Sequence, residues 1–365
     1  MLAARDPDLP SDGQPVLARD ALDFIVIGAQ KSATTTLFQY LRHHPQVALP
    51  EGKEAPFFSH DTVYRRGWPA YMEALARDGG MTDPERVWGT VTPAYMVGGV
   101  LNPARGVAPG EYDARTVPRR IQACLPDVRL VAILRDPVQR AFSHYGMVVN
   151  RGAERRSFDE AVERLLEPAA LEAARAAPSE ATGYVVWGEY GRLLEAYLDV
   201  FPRERLLILF TDELERAPLE LLARLHRFIG VSEDFVPPNL GRRYLQARAR
   251  RGFTWRRPGT WLSPSSPVSP QGLERGLRRL PGARALWHAV PFEGQRRLRR
   301  PYELAAARAG SFNRAKAASE APPQRAAPRP ETLERLREHF AADGRRLAAI
   351  LDGAAPYWEQ GRASG

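Results

Sequence analysis

Three lysines, a single cysteine and no long apolar run set the first limits on this 365-residue chain. One cysteine, Cys124, excludes an internal disulfide, and it reads as a thiol packed on a helix rather than a reactive one. No apolar stretch approaches the roughly 20 residues that span a bilayer, and the first 20 residues, rich in Pro, Asp and Ala, lack the apolar centre of a secretory leader. The expectation is a cytoplasmic protein with loose tails over 1–21 and 359–365 and one domain over 22–358. Internal repeats are absent as well. With 44% hydrophobic residues the chain is long enough to bury a substantial core.

Arginine fills almost every basic position, so a lysine marks a need for a compact ammonium rather than a planar fork. Lys31 follows the β-branched run Phe24-Ile25-Val26-Ile27 and the turn residue Gly28, and precedes the hydroxylated stretch Ser32-Ala33-Thr34-Thr35-Thr36 that opens an amphipathic pattern through Leu41. That order predicts a buried strand, a turn and a helix whose first N–H groups lack partners. Such a helix start favours phosphate, because the dipole and the unpaired amides both point at the anion. The spacing Gly28-x-x-Lys31 differs from the nucleoside-triphosphate loop, which carries a second glycine directly before its lysine. A strand that ends in Arg135-Asp136 suits an anion better than a metal, so no metal is expected.

The segment Val128 to Leu134 reads as a second buried strand, with Pro137 at the start of the following helix and Arg140, Ser143 and His144 within one turn of each other. Ligands of open α/β sheets sit outside the carboxyl ends of the strands, so Arg135 and Ser143 should face the Lys31 loop. Together the two segments resemble the 5′-phosphosulfate loop and the 3′-phosphate motif of sulfotransferases that use 3′-phosphoadenosine 5′-phosphosulfate. The resemblance implies that Lys31, Ser32, Ala33, Thr34, Thr35 and Thr36 hold the 5′-phosphosulfate and that Arg135 and Ser143 hold the 3′-phosphate.

Lys53-Glu54-Ala55-Pro56-Phe57-Phe58-Ser59 is similar to the Lys-Glu-x-x-Phe-Phe stretch of carbohydrate sulfotransferases related to the heparan sulfate enzymes, in which the matching glutamate is the general base. A base is what the chemistry asks for, since an acceptor hydroxyl is a poor nucleophile. Glu54 is therefore the expected catalytic residue beside Lys31, with His60 as the rival base and Lys53, Phe57, Thr92 and Tyr95 as residues lining the substrate. Two departures stand out. In Gly89-Thr90-Val91-Thr92-Pro93-Ala94-Tyr95 the family's lysine falls on Val91, and in Trp187-Gly188-Glu189-Tyr190 the family's arginine falls on Trp187.

The +9 net charge gathers in an Arg-, Pro- and Gly-rich stretch over 239–330, after a nucleotide-binding core over 22–235 and before a helix and packing segment over 331–358. No nucleic-acid motif accompanies those arginines, so no nucleic-acid partner is expected, while contact with an anionic surface stays open. Arg314 and Lys316 lie where the family has its cofactor-covering loop, and the resemblance implies that they approach the donor. The expected fold is α/β, a P-loop-like three-layer arrangement of a mostly parallel sheet between helices. The expected activity is sulfonate transfer to a hydroxyl of a small-molecule or glycan acceptor; the alternatives are a catalytically inactive nucleotide-binding homologue and a P-loop kinase.

Overall fold

The structure, a computed structural model, describes residues 20–77, 81, 83–104, 106–107, 111–241, 244 and 327–360. The chain divides into two units, one drawn from Met1–His144, Phe158–Gln246 and Pro328–Gly365 and the other from Tyr145–Ser157 and Ala247–Ala327. Within the described part of the second, Glu154 gathers the backbone N–H groups of Arg155 and Arg156 and pairs with the Arg156 guanidinium. The first unit carries the sheet.

Its elements in chain order are β1 (Phe24–Gly28), α1 (Thr34–Leu41), β2 (Val47–Ala48), α2 (Asp61–Tyr64), α3 (Trp68–Arg77), β3 (Val87–Val91), α4 (Thr116–Cys124), β4 (Arg129–Leu134), α5 (Pro137–Asn150), α6 (Phe158–Leu165), α7 (Pro168–Ala176), α8 (Tyr190–Leu198), β5 (Leu206–Phe210), α9 (Thr211–Arg216), α10 (Pro218–Ile229), α11 (Pro330–Ile350) and α12 (Tyr357–Gln360). The five strands are all parallel, in the order β2-β3-β1-β4-β5. A parallel sheet needs both faces covered, and the alternation along β1 shows how. Phe24 and Val26 pack with Leu37, Leu41, Leu222 and Leu225 of α1 and α10. Ile25 and Ile27 pack on the other face with Met72, Ile121, Leu193 and Leu347 of α3, α4, α8 and α11. The three-layer α/β expectation is met, and each fully buried large side chain contributes roughly 1.5–3 kcal/mol.

From β1 the chain runs through α1 toward β2 on one side, whereas from β4 it runs toward β5 on the other. The carboxyl ends of adjacent β1 and β4 therefore form the switch point at which such sheets bind ligands.

Helix α11 closes the face that carries α8. Asp343 on α11 accepts the backbone N–H groups of Gly191 and Arg192 at 2.7 and 2.8 Å, so the first turn of α8 is capped from another helix. Contact this close needs glycine, because a Cβ at Gly191 would stand 2.5 Å from the Arg346 Cβ and 2.6 Å from the Asp343 carbonyl oxygen. The same junction carries Glu189, whose buried carboxylate accepts from His339, Arg175 and Arg192. Burial opposes its ionisation, but these donors prevail and hold it down at about 2.

His226 on α10 is buried edge-on against His44, with ring centres 4.6 Å apart. Burial, and then the neighbouring His44, push His226 down to about 4, against the opposing charge of Glu233. Both rings fold neutral, so the unfolded chain binds more protons between the two pKa values. Stability is thus complete above pH 6.5 and is lost as pH falls toward 4.

Two outcomes follow for the fold. Gly191→Ala is expected to cost about 1–3 kcal/mol through overpacking, read as a drop in denaturation midpoint; an unchanged midpoint contradicts the close approach of α8 and α11. Between pH 6.5 and 4 the native protein is expected to lose on the order of 1 kcal/mol more than His226→Leu. Equal losses would mean that the histidine pair is not the acid-sensitive element.

Candidate active site

Where β1 ends, Ala29 N–H donates to the Ile133 carbonyl at 2.8 Å, tying the first loop residue to β4. Lys31 and Ala33 then adopt left-handed backbone with φ of 72° and 58°, and Ala33 precedes α1 without any side-chain cap on the helix amides. A turn of this kind folds successive N–H groups around a concavity suited to an anion. The Ser32 hydroxyl is fully buried beside it, with the Tyr190 hydroxyl close by but no well-formed hydrogen bond among the described residues. An orphaned polar atom at that position fits a site completed by ligand oxygens. The Thr36 hydroxyl is already engaged, accepting the Tyr244 N–H at 3.3 Å, which leaves only its own proton to donate.

Arg135 leaves the end of β4 and reaches over the same loop. Its guanidinium donates to the Lys31 carbonyl at 3.5 Å and to Gln139 Oε1 at 3.2 and 3.3 Å. Its own carbonyl accepts the Tyr190 hydroxyl at 2.9 Å. Asp136 Oδ1 accepts the Gln139 N–H at 2.8 Å and so caps α5, on which Ser143 stands half-buried. The lysine loop and the arginine predicted to face it are thus in direct contact at the β1–β4 switch point.

The loop after β2 is fixed by β3 and the turn beyond it. Thr92 N–H donates to the Val26 carbonyl, extending the β1–β3 pairing, and its hydroxyl accepts the Ala55 N–H at 3.2 Å. The Tyr95 hydroxyl accepts from Phe57 N–H at 2.8 Å and Phe58 N–H at 3.4 Å and donates to the Ala55 carbonyl, which also receives the Tyr71 hydroxyl. Burial raises the Tyr95 pKa well above its ordinary value, so it remains a hydroxyl donor. Glu54 precedes this pinned segment with its side chain 57% exposed and paired to Lys53 at 3.1 Å.

Those contacts show what three of the residues expected to line the substrate do in the fold. Thr92 and Tyr95 are fully buried and spend their hydroxyls on the Ala55–Phe58 backbone. Phe57 is 1% exposed, packed among Tyr64, Trp68 and Tyr71. Their polar and aromatic groups hold the Glu54 loop from below. Lys53 is half-buried beside Glu54. His60, half-buried, shares a hydrogen bond with the Ser59 hydroxyl, and burial lowers its pKa against the charge of Glu180.

Glu180 had no sequence signal: it sits in an irregular loop after α7. Its carboxylate accepts the Gln30 side-chain amide at 2.8 Å, so it borders the Lys31 loop on one side and His60 on the other. Val91 is buried with Leu37 and Val131 and offers no charge in place of the family's lysine. Trp187 is likewise buried, its ring 5.1 Å from that of His144. Arg314 and Lys316 lie outside the described residues. A cavity of about 320 Å³ lined by Leu22, Cys124, Arg129 and Arg205 opens at the amino ends of β1 and β4, at the other end of the sheet from these loops.

Comparison with known proteins bears on the family and the fold. Residues 22–247 match the family model described as "Sulfotransferase domain". The chain is 26% identical over 234 residues to heparan sulfate glucosamine 3-O-sulfotransferase 3B1 of Mus musculus, covering 62% of this chain and 52% of that protein. It is 29% identical over 209 residues to heparan sulfate glucosamine 3-O-sulfotransferase 6 of Homo sapiens, covering 57% and 52%. The chain thus spans about half the length of these curated relatives. In fold it is similar to a crystal structure of a sulfotransferase from Alicyclobacillus acidocaldarius, with a TM-score of 0.56, 21% identity and coverage of 93% of this chain and 99% of that one.

Tyr95→Phe is expected to leave the Phe57 and Phe58 amides without their acceptor, at a cost of about 1–3 kcal/mol, and to speed hydrogen exchange across residues 53–60. Unchanged exchange there would mean that the loop is held by something else.

Proposed function

The chain belongs to the sulfotransferase domain family, and from that premise we propose that it transfers a sulfonate from 3′-phosphoadenosine 5′-phosphosulfate to an acceptor hydroxyl, with Glu54 as general base. The observation that carries this reading is the convergence at one switch point of the uncapped α1 amides, the orphaned Ser32 hydroxyl and the Arg135 guanidinium. Three donors of different kinds around one concavity suit a ligand with several anionic oxygens. When bound there, the donor supplies the sulfonate and a phosphate leaving group.

In this assignment Lys31 and the α1 amides hold the 5′ end of the donor, and Arg135 and Ser143 hold its 3′-phosphate. Glu54 accepts the acceptor's hydroxyl proton as the acceptor oxygen bonds to sulfur. The bond from sulfur to the bridging phosphate oxygen breaks, and the electron pair leaves with 3′-phosphoadenosine 5′-phosphate. Thr92, Tyr95 and Tyr71 keep the Glu54 loop from moving as this happens. The relatives' names point to glucosamine residues of heparan sulfate, and a carbohydrate hydroxyl is the acceptor class proposed for this chain.

A second reading is an inactive nucleotide-binding homologue. The observation that favours it is Val91, whose buried side chain cannot neutralise charge on the transferring group. Kinetics and binding separate the two. Lys31→Ala is expected to weaken binding of 3′-phosphoadenosine 5′-phosphate by about 10–100-fold through loss of a charge-assisted contact. Glu54→Gln is expected to keep that affinity and lower turnover by about 10²–10⁴-fold, measured with a panel of sugar acceptors. Full turnover in Glu54→Gln overturns the base assignment, and nucleotide binding by the native protein without transfer to any acceptor favours the inactive homologue.

A further inference from the structure

Between the last residue of β4 and the first of α5 lie only Arg135 and Asp136. The peptide that joins them belongs to neither element, so its carbonyl and N–H must find partners elsewhere. Both are met by tyrosine hydroxyls from distant parts of the chain. Tyr190, the first residue of α8, donates to the Arg135 carbonyl at 2.9 Å, and Tyr357, the first residue of α12, accepts the Asp136 N–H at 3.1 Å. Burial pushes Tyr190 up to about 12, so its proton is there to donate at neutral pH.

The rings that carry these hydroxyls share one aromatic group. Trp358 lies 6.0 Å from Tyr190 and 5.7 Å from Phe210, centre to centre, and Phe210 lies 6.1 Å from Tyr357. Phe210 ends β5 in register with Leu134 at the end of β4. The Tyr357–Trp358 segment is therefore seated on the carboxyl ends of these two strands, beside the peptide it holds.

That peptide is a joint between two groups of the donor site. Arg135 precedes it at the strand end, whereas Ser143 follows it on α5. The φ of Pro137 is locked by its ring, so the direction of α5 relative to Arg135 is set by the few soft dihedrals on either side of the peptide. The Arg135 guanidinium meets only the neutral Gln139 Oε1 and Lys31 carbonyl and has no carboxylate partner among the described residues. No ion pair fixes it in place of the backbone.

We propose that Tyr190 and Tyr357 are positioning residues of the donor site: by holding both ends of the Arg135–Asp136 peptide they set Arg135 against Ser143, and with them the affinity for the 3′-phosphate. The inference rests on the donor reading above, and neither hydroxyl is assigned a contact with the ligand. A tie that only steadied the fold would be indifferent to whether the nucleotide carries a 3′-phosphate.

Tyr357→Phe removes one oxygen and keeps the ring, so it frees the Asp136 N–H while the aromatic group stays packed. In titration calorimetry this variant is expected to bind 3′-phosphoadenosine 5′-phosphate about three- to tenfold more weakly than the native protein, the worth of one hydrogen bond. Adenosine 5′-phosphate, which lacks the 3′-phosphate, is expected to bind both proteins within about twofold of each other. In an Arg135→Ala background the same substitution is expected to change the affinity for 3′-phosphoadenosine 5′-phosphate by less than about twofold, because its effect passes through Arg135. Native-like affinity in Tyr357→Phe, an equal loss for both nucleotides, or an undiminished loss beside Arg135→Ala overturns the proposal. Should Tyr357→Phe not fold, Tyr190→Phe takes its place in the same cycle, since it frees the other end of the peptide. If the native protein binds 3′-phosphoadenosine 5′-phosphate no better than adenosine 5′-phosphate, the donor reading fails and takes this inference with it; a native preference that the tyrosine variants keep in full fails this inference only.

Discussion

Everything at the site depends on two parallel strands lying side by side while their chains depart in opposite directions. β1 and β4 pair along their length, and the bond from Ala29 N–H to the Ile133 carbonyl carries the pairing into the loop. Two helices, α1 and α5, consequently begin at adjacent strand ends. Both helices begin at the carboxyl edge of the sheet, beside the buried Ser32 hydroxyl and the Arg135 guanidinium, and the second is capped by Asp136. The sheet supplies a position for anions before any particular side chain is considered. Side chains then decide which anion fits.

The second ingredient is rigidity bought from the core. The Lys53–Ser59 loop has no regular structure, yet the Ala55, Phe57 and Phe58 N–H groups and the Ala55 carbonyl are bonded by the buried Tyr95, Tyr71 and Thr92. A loop otherwise free to move is thereby held at the carboxyl edge, with Glu54 at its exposed end. The Glu180–Tyr184 loop is held by the same means, through Arg140 and His144. Buried polar groups are expensive unless satisfied, so each loop has little freedom to settle elsewhere.

Much of this was legible in the sequence, because apolar runs and breakers are local signals. Phe24 to Gly28, Arg129 to Leu134 and Leu206 to Phe210 declare themselves as buried strands, and Pro137 and Pro330 mark helix starts. The contact between Arg135 and the Lys31 loop followed from the rule about strand ends. Strand β2, only two residues long, is too short to carry a pattern. That Thr92 and Tyr95 hold the Ala55–Phe58 backbone was not legible, because a motif shows which residues recur near a site but not which way they face. Glu180 and the cap that Asp343 places on α8 were illegible for a plainer reason: each acts across 150 residues or more of chain, and no periodicity reports such a contact.

The most direct test of the central claim, that the β1–β4 switch point is the donor site, is hydrogen–deuterium exchange of the full chain with saturating 3′-phosphoadenosine 5′-phosphate, with EDTA present and with ATP and Mg²⁺ as the comparison. The account predicts slowed exchange confined to residues 29–37 and 135–144, independent of EDTA and weaker or absent with ATP. Protection that falls elsewhere in the chain, or that appears only with ATP and Mg²⁺, would contradict it.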